Sequence, residues 1–129
     1  MSPIRTALFV AVVTAAFAVA APAQAQATVT QISSDPFAPN SMPTAAHATE
    51  VEPDTFTSGS TVVAAFQTGR VFNGGASDIG WATSLNGGGT WTHGFLPATT
   101  TASTPTGPFF SVSDPSVAFD ARHGVWLVS

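Results

Sequence analysis

Apolar residues along this chain fall into short runs that polar breakers separate. After the N-terminal apolar stretch, such runs occur at 61–66, 79–83 and 125–128. Clusters of Gly, Ser, Asn and Pro lie between them, which is typical of short strands joined by turns. Because helical periodicity is absent after residue 27, the pattern predicts an all-β fold.

Two hairpins are predicted from this pattern. In the first, residues 50–56 and 61–66 form strands around a polar turn at 57–60. The second surrounds the octet Ser84-Leu85-Asn86-Gly87-Gly88-Gly89-Thr90-Trp91, whose glycines allow positive φ. We expect Asn86 to bond backbone N–H groups two residues on, and Thr90 and Trp91 to begin the return strand. Trp81 lies on the predicted partner strand.

The first hairpin pattern recurs near the C-terminus. Glu52-Pro53, Gly59 and Val62-Val63 match Asp114-Pro115, Gly124 and Trp126-Leu127. The offset is 62 residues at the acidic residue and 65 at the glycine, so the second turn is longer. A unit of four strands that recurs after about 60 residues is a repeat signal and corresponds to a propeller blade. Residues 98–108, rich in Thr, Ser and Pro, are predicted to form a solvated connector.

The N-terminus has the pattern of a secretory signal peptide. Arg5 precedes an apolar run that ends at Ala21, and small residues in A-x-A register follow. The run of about 15 residues is short for a membrane-spanning helix, which needs about 20. We therefore expect residues 1–25 to be removed by cleavage near Ala25 or Ala27, which leaves a secreted chain without a membrane anchor. Residues 28–48, with three prolines, are predicted to be an extended lead-in.

Charge and composition exclude several classes of partner. Residues 26–129 carry two basic side chains against seven acidic ones. The absence of a basic patch argues against nucleic acid or an anionic membrane surface as partner. The chain has no cysteine, and its histidines lack the spacing of metal ligands. No D-x-D-x-D calcium loop is present either, so neither a metal nor a cofactor is expected.

The octet resembles the Asp-box, the S-x-D-x-G-x-T-W hairpin of sialidases and related β-propellers. Ser84, Gly88, Thr90 and Trp91 match the motif, and Asn86 stands where the family usually has Asp. In the family this hairpin stabilises the fold at a distance from the active site. The resemblance therefore implies an architecture and a structural role for these five residues.

A longer match extends from about residue 50 to residue 129. Val51-Glu52-Pro53 occupies the slot of the sialidase R-I-P motif, Arg70 closes a strand as a family arginine does, and residues 78–84 fill the D-I-x-x-x-R-S slot without its Arg. The resemblance implies a sialidase-type β-propeller, for which six blades are expected. Its domain would begin at residue 49, with a first blade at about 50–97 and half of a second at about 109–129. On this interpretation the chain is the N-terminal part of a longer protein.

By resemblance, the reaction would be hydrolysis of a terminal sialic acid. That chemistry needs three arginines for the substrate carboxylate, a Tyr nucleophile paired with a Glu, and an Asp acid/base. The chain has no Tyr, and Val51 replaces the first arginine. Arg70 is the candidate substrate-binding residue and Asp78 the candidate catalytic one. The alternatives are a surface charge for Arg70 and a turn or strand-end carboxylate for Asp78.

Two functions stay open at this point. One is a secreted glycoside hydrolase of the exo-α-sialidase type that acts on extracellular glycans and is inactive as this piece alone. The other is a non-catalytic propeller that binds glycans or proteins at the cell exterior, since one fold hosts many functions. The altered R-I-P motif favours the second, and the retained order of Arg70 and Asp78 keeps the first open.

Overall fold

A computed structural model describes residues 28–37, 45–72 and 74–129. Within these ranges the protein is all-β, as predicted, and no helix is present that could cross a membrane. The predicted signal peptide lies outside the described residues. The strands are β1 (Ala45–Ser58), β2 (Thr61–Val71), β3 (Ala76–Ser84), β4 (Thr92–Phe95), β5 (Val117–Asp120) and β6 (Val125–Val128).

The strands form two antiparallel sheets. The first contains β1 to β4 in sequence order, and the second is the hairpin of β5 and β6. Both predicted hairpins are present. The first turn is tighter than expected and contains only Gly59 and Ser60, because β1 continues to Ser58. The strand after the octet begins at Thr92 instead of Thr90, because Thr90 is held inside the turn by Asn86.

The two faces of the first sheet contact different parts of the chain. Side chains alternate between the faces along each strand, and the register pairs Phe56 with Val63 and Ala64 with Ala82. We name the two sides by their residues. Face A carries Asp54, Phe56, Val63, Ala65 and Ile79; face B carries Thr55, Thr57, Val62, Ala64, Phe66 and Ala82.

Face A is covered by the second hairpin. Val117 of β5 joins Val63, Ala65 and Ile79 in one buried apolar cluster, against which Trp126 and other half-buried side chains pack. The Phe56 and Trp126 rings meet edge to face with centroids 6.1 Å apart, a favourable aromatic geometry. The chain thus buries one face of its first sheet under β5 and β6.

Face B is partly covered by residues 28–37, which we call the strap. Ile32 packs against the buried cluster of Ala64, Phe66 and Ala82. The fully buried Asp35 carboxylate accepts the Ala48 N–H at 2.8 Å. The prediction of a separate extended lead-in at 28–48 is therefore wrong in two respects. β1 already begins at Ala45, and the strap contributes an apolar side chain to the core, because face B would otherwise expose its apolar residues.

The close fit of face B depends on one glycine. Gly80 of β3 pairs with Phe66 of β2. A Cβ at position 80 would lie 2.3 Å from Phe66 Cε2 and 2.8 Å from Thr68 Oγ1. The Phe66 ring therefore lies over bare backbone, and any larger residue at position 80 would displace it.

The two hairpins repeat each other in register. Phe56 pairs with Val63 as Ala118 pairs with Leu127. The acidic residue before each proline has the same left-handed backbone, with φ of 52° at Glu52 and at Asp114. Non-glycine residues seldom adopt this conformation. The repeat predicted from the sequence is thus a repeat of backbone geometry, and the longer second turn of residues 121–124 is accommodated outside the strands.

A carboxylate joins the two copies. Asp54 of β1 accepts the Val117 N–H of β5 at 2.7 Å and the N–H of Thr55 at 2.9 Å. The Val117 hydrogen bond is the main cause that lowers the pKa of Asp54 below its ordinary 3.8. A carboxyl whose pKa is lower in the folded state stabilises that state above the unfolded pKa, and the stabilisation is lost as pH falls through the folded value. We therefore expect the contact to weaken in acid.

Replacing Asp54 tests this contact between the two copies of the repeat. Asp54→Ala removes the acceptor, so the Val117 amide should exchange with D₂O at least tenfold faster in NMR-detected hydrogen exchange. Asp54→Asn keeps an acceptor oxygen, so it should retain most of the protection while losing the part of the acid dependence that comes from this carboxyl. Asp120→Asn is the control. The pKa of Asp120 is also lowered, mainly by its hydrogen bond with His123, but Asp120 does not contact Val117. Unchanged Val117 exchange in Asp54→Ala would contradict the assignment.

Candidate functional site

The octet forms a self-contained turn between β3 and β4. Ser84 ends β3 and is almost fully buried. Its Oγ accepts the Gly88 N–H at 2.9 Å and donates to Asn86 Oδ1 at 3.0 Å. This hydroxyl holds the turn closed, because it accepts the half-buried Gly88 N–H from across the turn.

Asn86 supplies the second half of the turn. Its Oδ1 accepts the Thr90 N–H at 2.8 Å, and its Nδ2 donates to Thr90 Oγ1 at 3.0 Å. The expectation that Asn86 bonds N–H groups two residues on is wrong, since it reaches four residues on. The longer reach results from Gly87 and Gly88, which take φ of 68° and 94° and lengthen the turn. Asn therefore serves in this position as an acceptor without carrying a charge.

Trp91 connects the octet to face B. Its Nε1 donates to the Gly88 carbonyl at 3.0 Å, and its ring packs against the cluster of Ala64, Phe66 and Ala82. The five predicted Asp-box residues thus meet in one turn, and their hydrogen bonds are made mainly to one another. This pattern of hydrogen bonds indicates that the octet stabilises the fold.

Asp78 is a fully buried residue inside β3. Its carboxylate accepts hydrogen bonds from Thr99 Oγ1 at 2.6 Å, Ser103 Oγ at 2.8 Å and the Ile79 N–H at 2.8 Å. Burial of a carboxylate is costly unless hydrogen-bond donors replace the water that it loses, and these three donors do so. Asp78 therefore anchors the segment after β4, and its oxygens do not face solvent.

That anchored segment corrects a prediction. Residues 98–108 were expected to be a solvated connector, but Thr100 is fully buried and Ser103 nearly so. Thr100 donates from Oγ1 to the Ser77 carbonyl, and its backbone N–H reaches Ser103 Oγ at 2.8 Å. The hydroxyls that make the segment look hydrophilic in the sequence are the donors that Asp78 needs. Asp78 directly precedes the apolar run at 79–83, and a carboxylate in a buried strand signals that such donors must exist.

Arg70 lies near the end of β2 and is exposed. Its backbone N–H bonds Thr49 Oγ1 at 2.9 Å. Among the described residues, no carboxylate lies within ion-pair distance of its guanidinium. Since Asp78 is buried and Arg70 is exposed, the structure does not bring the two candidate site residues together in one cleft.

A cleft of about 490 Å³ lies where the two copies of the repeat meet. Glu52 from the first copy and Asp114 from the second stand at its edge, each at the left-handed position before its proline. The remaining lining comes from two short segments, Gly74 and Gly75 on one side and Ser111, Val112 and Ser113 on the other. Val112 also bridges to Ala76 of β3, with the Ala76 N–H donating to its carbonyl at 2.7 Å.

A buried amide stands behind one wall of this cleft. Gln67 of β2 is fully buried and donates from Nε2 to the Glu52 carboxylate. Its Oε1 has no hydrogen-bond partner. The contact fixes the Glu52 side chain without neutralising its charge.

The volume of the cleft falls within the range of small-molecule sites. Its two carboxylates can accept hydrogen bonds from hydroxyl or ammonium groups but would repel an anion. Glu52 belongs to the slot of the R-I-P motif, so a negative charge stands near the place where the resemblance requires a positive one. Within the described ranges, no three acidic, His or Cys side chains gather as a metal site would require.

Two smaller clefts border the strap. One of about 370 Å³ lies beside Trp91 and His93, and one of about 200 Å³ lies between the strap and β1 near Glu50. Ser33 of the strap donates to Glu50 at 2.6 Å. Neither cleft is lined by Arg70 or Asp78.

Comparison of the chain with protein-family models, with curated proteins and with solved structures gives no match.

Ser84→Ala tests the structural role of the octet. The variant leaves the half-buried Gly88 N–H without its acceptor, which should cost about 0.5–1.5 kcal/mol in the free energy of unfolding, the net contribution of a typical hydrogen bond. Asn86→Asp is the matched variant, because it keeps the oxygen that Thr90 requires and should cost much less. Chemical denaturation followed by tryptophan fluorescence measures both. Equal stability of Ser84→Ala and the parent chain would contradict this account.

The Asp78→Ala variant tests whether Asp78 anchors residues 98–108 or is a solvent-facing catalytic acid. It leaves the hydroxyls of Thr99 and Ser103 without their acceptor, so amide exchange across residues 98–108 should accelerate and the chain should lose stability. If Asp78 were instead a solvent-facing acid, the substitution would leave exchange in this segment unchanged. Asp114→Ala, an exposed carboxylate outside the segment, is the control.

Proposed function

We propose that this chain is part of a secreted Asp-box β-propeller that binds neutral extracellular glycans without hydrolysing them. The observation that carries the proposal is the carboxylate-edged cleft formed by the two repeat copies. Three features support the propeller architecture. The first sheet has four antiparallel strands, the octet joins its third and fourth strands, and the second hairpin repeats the first in register.

The positions of the residues that hydrolysis would require favour the non-catalytic alternative, because these residues are not placed to reach a substrate. Asp78 uses its carboxylate to hold residues 98–108, and a general acid must reach its substrate. The clamp for a sialic acid carboxylate would have to include Arg70, which does not line any of these three clefts. A cleft edged by Glu52 and Asp114 repels that carboxylate. The same carboxylates are suitable acceptors for the hydroxyl groups of a neutral sugar.

Aromatic side chains next to the cleft suit the same class of ligand. Phe109 and Phe110 directly precede Ser111 of the lining and are each more than half exposed. An exposed ring offers an apolar face on which the C–H face of a sugar can pack. The proposed ligand therefore combines hydroxyl groups for the carboxylates with an apolar face for a phenylalanine.

The test measures glycan binding and hydrolysis on the same secreted protein. Isothermal titration against matched neutral and sialylated oligosaccharides should show binding of the neutral members only. Glu52→Gln and Asp114→Asn should each weaken it by about 1.5–3 kcal/mol, the usual contribution of a hydrogen bond to a charged group. Asp120→Asn makes the same chemical change outside the cleft and should leave affinity unchanged.

Hydrolysis of a fluorogenic sialoside should not exceed the buffer rate. Turnover that Asp78→Asn abolishes would contradict the non-catalytic assignment and favour the glycoside hydrolase. Binding of neutral glycans that is unaffected in both cleft variants would place the site elsewhere and overturn the role of the cleft.

A further inference from the structure

Asn86 is followed directly by Gly87, and an Asn-Gly pair is chemically prone to spontaneous deamidation. In this reaction the backbone nitrogen of the second residue attacks the side-chain amide carbon of the first. Glycine permits the attack readily, because it has no side chain to shield its nitrogen and its backbone rotates freely. The reaction takes place within one dipeptide, so the geometry of the octet determines whether it proceeds.

The atoms of the reaction balance with water as the co-reactant. The Gly87 nitrogen loses its proton to a base in the solvent and forms a bond to Asn86 Cγ, and the amide nitrogen leaves as ammonia. The cyclic imide then takes up one water. Cleavage of the new bond gives aspartate with the normal backbone, whereas cleavage of the original peptide bond gives isoaspartate, whose backbone passes through the side chain.

The closed octet opposes this reaction at the attacking nitrogen. The Gly87 N–H donates to the carbonyl of Ser60, in the turn between β1 and β2, at 2.8 Å. The proton that the nitrogen must lose is therefore held in a hydrogen bond. Its loss would break this bond and leave a negatively charged nitrogen against a carbonyl oxygen, which is unfavourable.

The closed octet also opposes the reaction at the amide that is attacked. Asn86 Oδ1 accepts the Thr90 N–H at 2.8 Å and the Ser84 hydroxyl at 3.0 Å, and Nδ2 donates to Thr90 Oγ1 at 3.0 Å. The amide lies over Gly89, where a Cβ would come within 3.2 Å of both Oδ1 and Nδ2. Ring closure requires the amide to turn its face toward the Gly87 nitrogen, so these hydrogen bonds must break first.

We propose that Asn86 is a site of spontaneous deamidation that the closed octet protects and that reacts when the octet opens. The aspartate product fits the same turn. Its carboxylate keeps the acceptor for the Thr90 N–H, and the Thr90 hydroxyl can donate to it in place of accepting. Isoaspartate adds a methylene to the backbone and moves the Gly87 N–H away from Ser60, so it does not fit. This inference rests on the contacts of the octet and is independent of the proposed glycan binding.

Peptide mapping by mass spectrometry on the intact chain measures the reaction, after incubation at mildly alkaline pH with and without denaturant. Because the reaction proceeds only from opened turns, Asn86 should deamidate about tenfold faster or more in denaturant than in the folded chain. The pair Asn73-Gly74 is the reference, and in denaturant it should react at a rate similar to that of Asn86. Equal rates at Asn86 in the folded and denatured chain would overturn the proposal, and so would an unreactive Asn86 in denaturant.

The products give a second readout. After reaction in denaturant and refolding, chromatography separates chains that fold from chains that do not. Aspartate at position 86 should be found in the folded fraction, and isoaspartate should be enriched in the chains that fail to refold. A folded fraction rich in isoaspartate would overturn the assignment of aspartate as the product that the turn accepts.

Two variants separate opening of the octet from unfolding of the whole chain. Ser84→Ala removes the hydroxyl that binds Asn86 and Gly88, so it should accelerate deamidation of the folded chain about threefold or more. Val117→Ala is the matched control, because it leaves a cavity in the cluster on face A but does not touch the octet. It should leave the rate unchanged. Equal acceleration by both variants would contradict protection by the octet, and so would an unchanged rate in Ser84→Ala.

Discussion

The structure depends on the stacking of one repeat copy on the other. Both faces of the first sheet carry apolar residues, and the removal of these residues from water stabilises the sheet. The second hairpin covers face A, and the Asp54 carboxylate fixes its position through the Val117 N–H. The strap and Trp91 cover the centre of face B. The cleft edged by Glu52 and Asp114 lies between the two copies that this stacking holds together.

The elements best predicted from the sequence were those with strong local chemistry. Gly59 marked the first turn, the three glycines with Asn86 marked the octet, and the acidic-Pro pairs marked the repeat. At the two turns the residue type carries the information, because glycine and asparagine favour the backbone conformations that such turns need. The same turn residues between short apolar runs predicted the all-β class, which the structure confirms for the described residues.

The features that the sequence did not predict depend on contacts between distant segments. The strap looked like an extended lead-in because nothing near Ile32 in the sequence indicates that Phe66 and Ala82 need a cover. Residues 98–108 looked solvated because their hydroxyls are polar, although Asp78 uses two of them as buried donors. For the same reason Asp78 looked like a candidate acid. A carboxylate in a strand is assigned correctly only when its partners are known, and those partners lie more than 20 residues away.

The central claim is that the two hairpins stack in the register of the repeat, with the second on face A of the first. Nuclear Overhauser effects in the isotope-labelled chain measure this most directly. The account predicts cross-peaks between the rings of Phe56 and Trp126, whose centroids lie 6.1 Å apart, and between the methyl groups of Val117 and Ile79. Spectra in which β5 and β6 give hairpin cross-peaks to each other but none to Phe56 or Ile79 would contradict it.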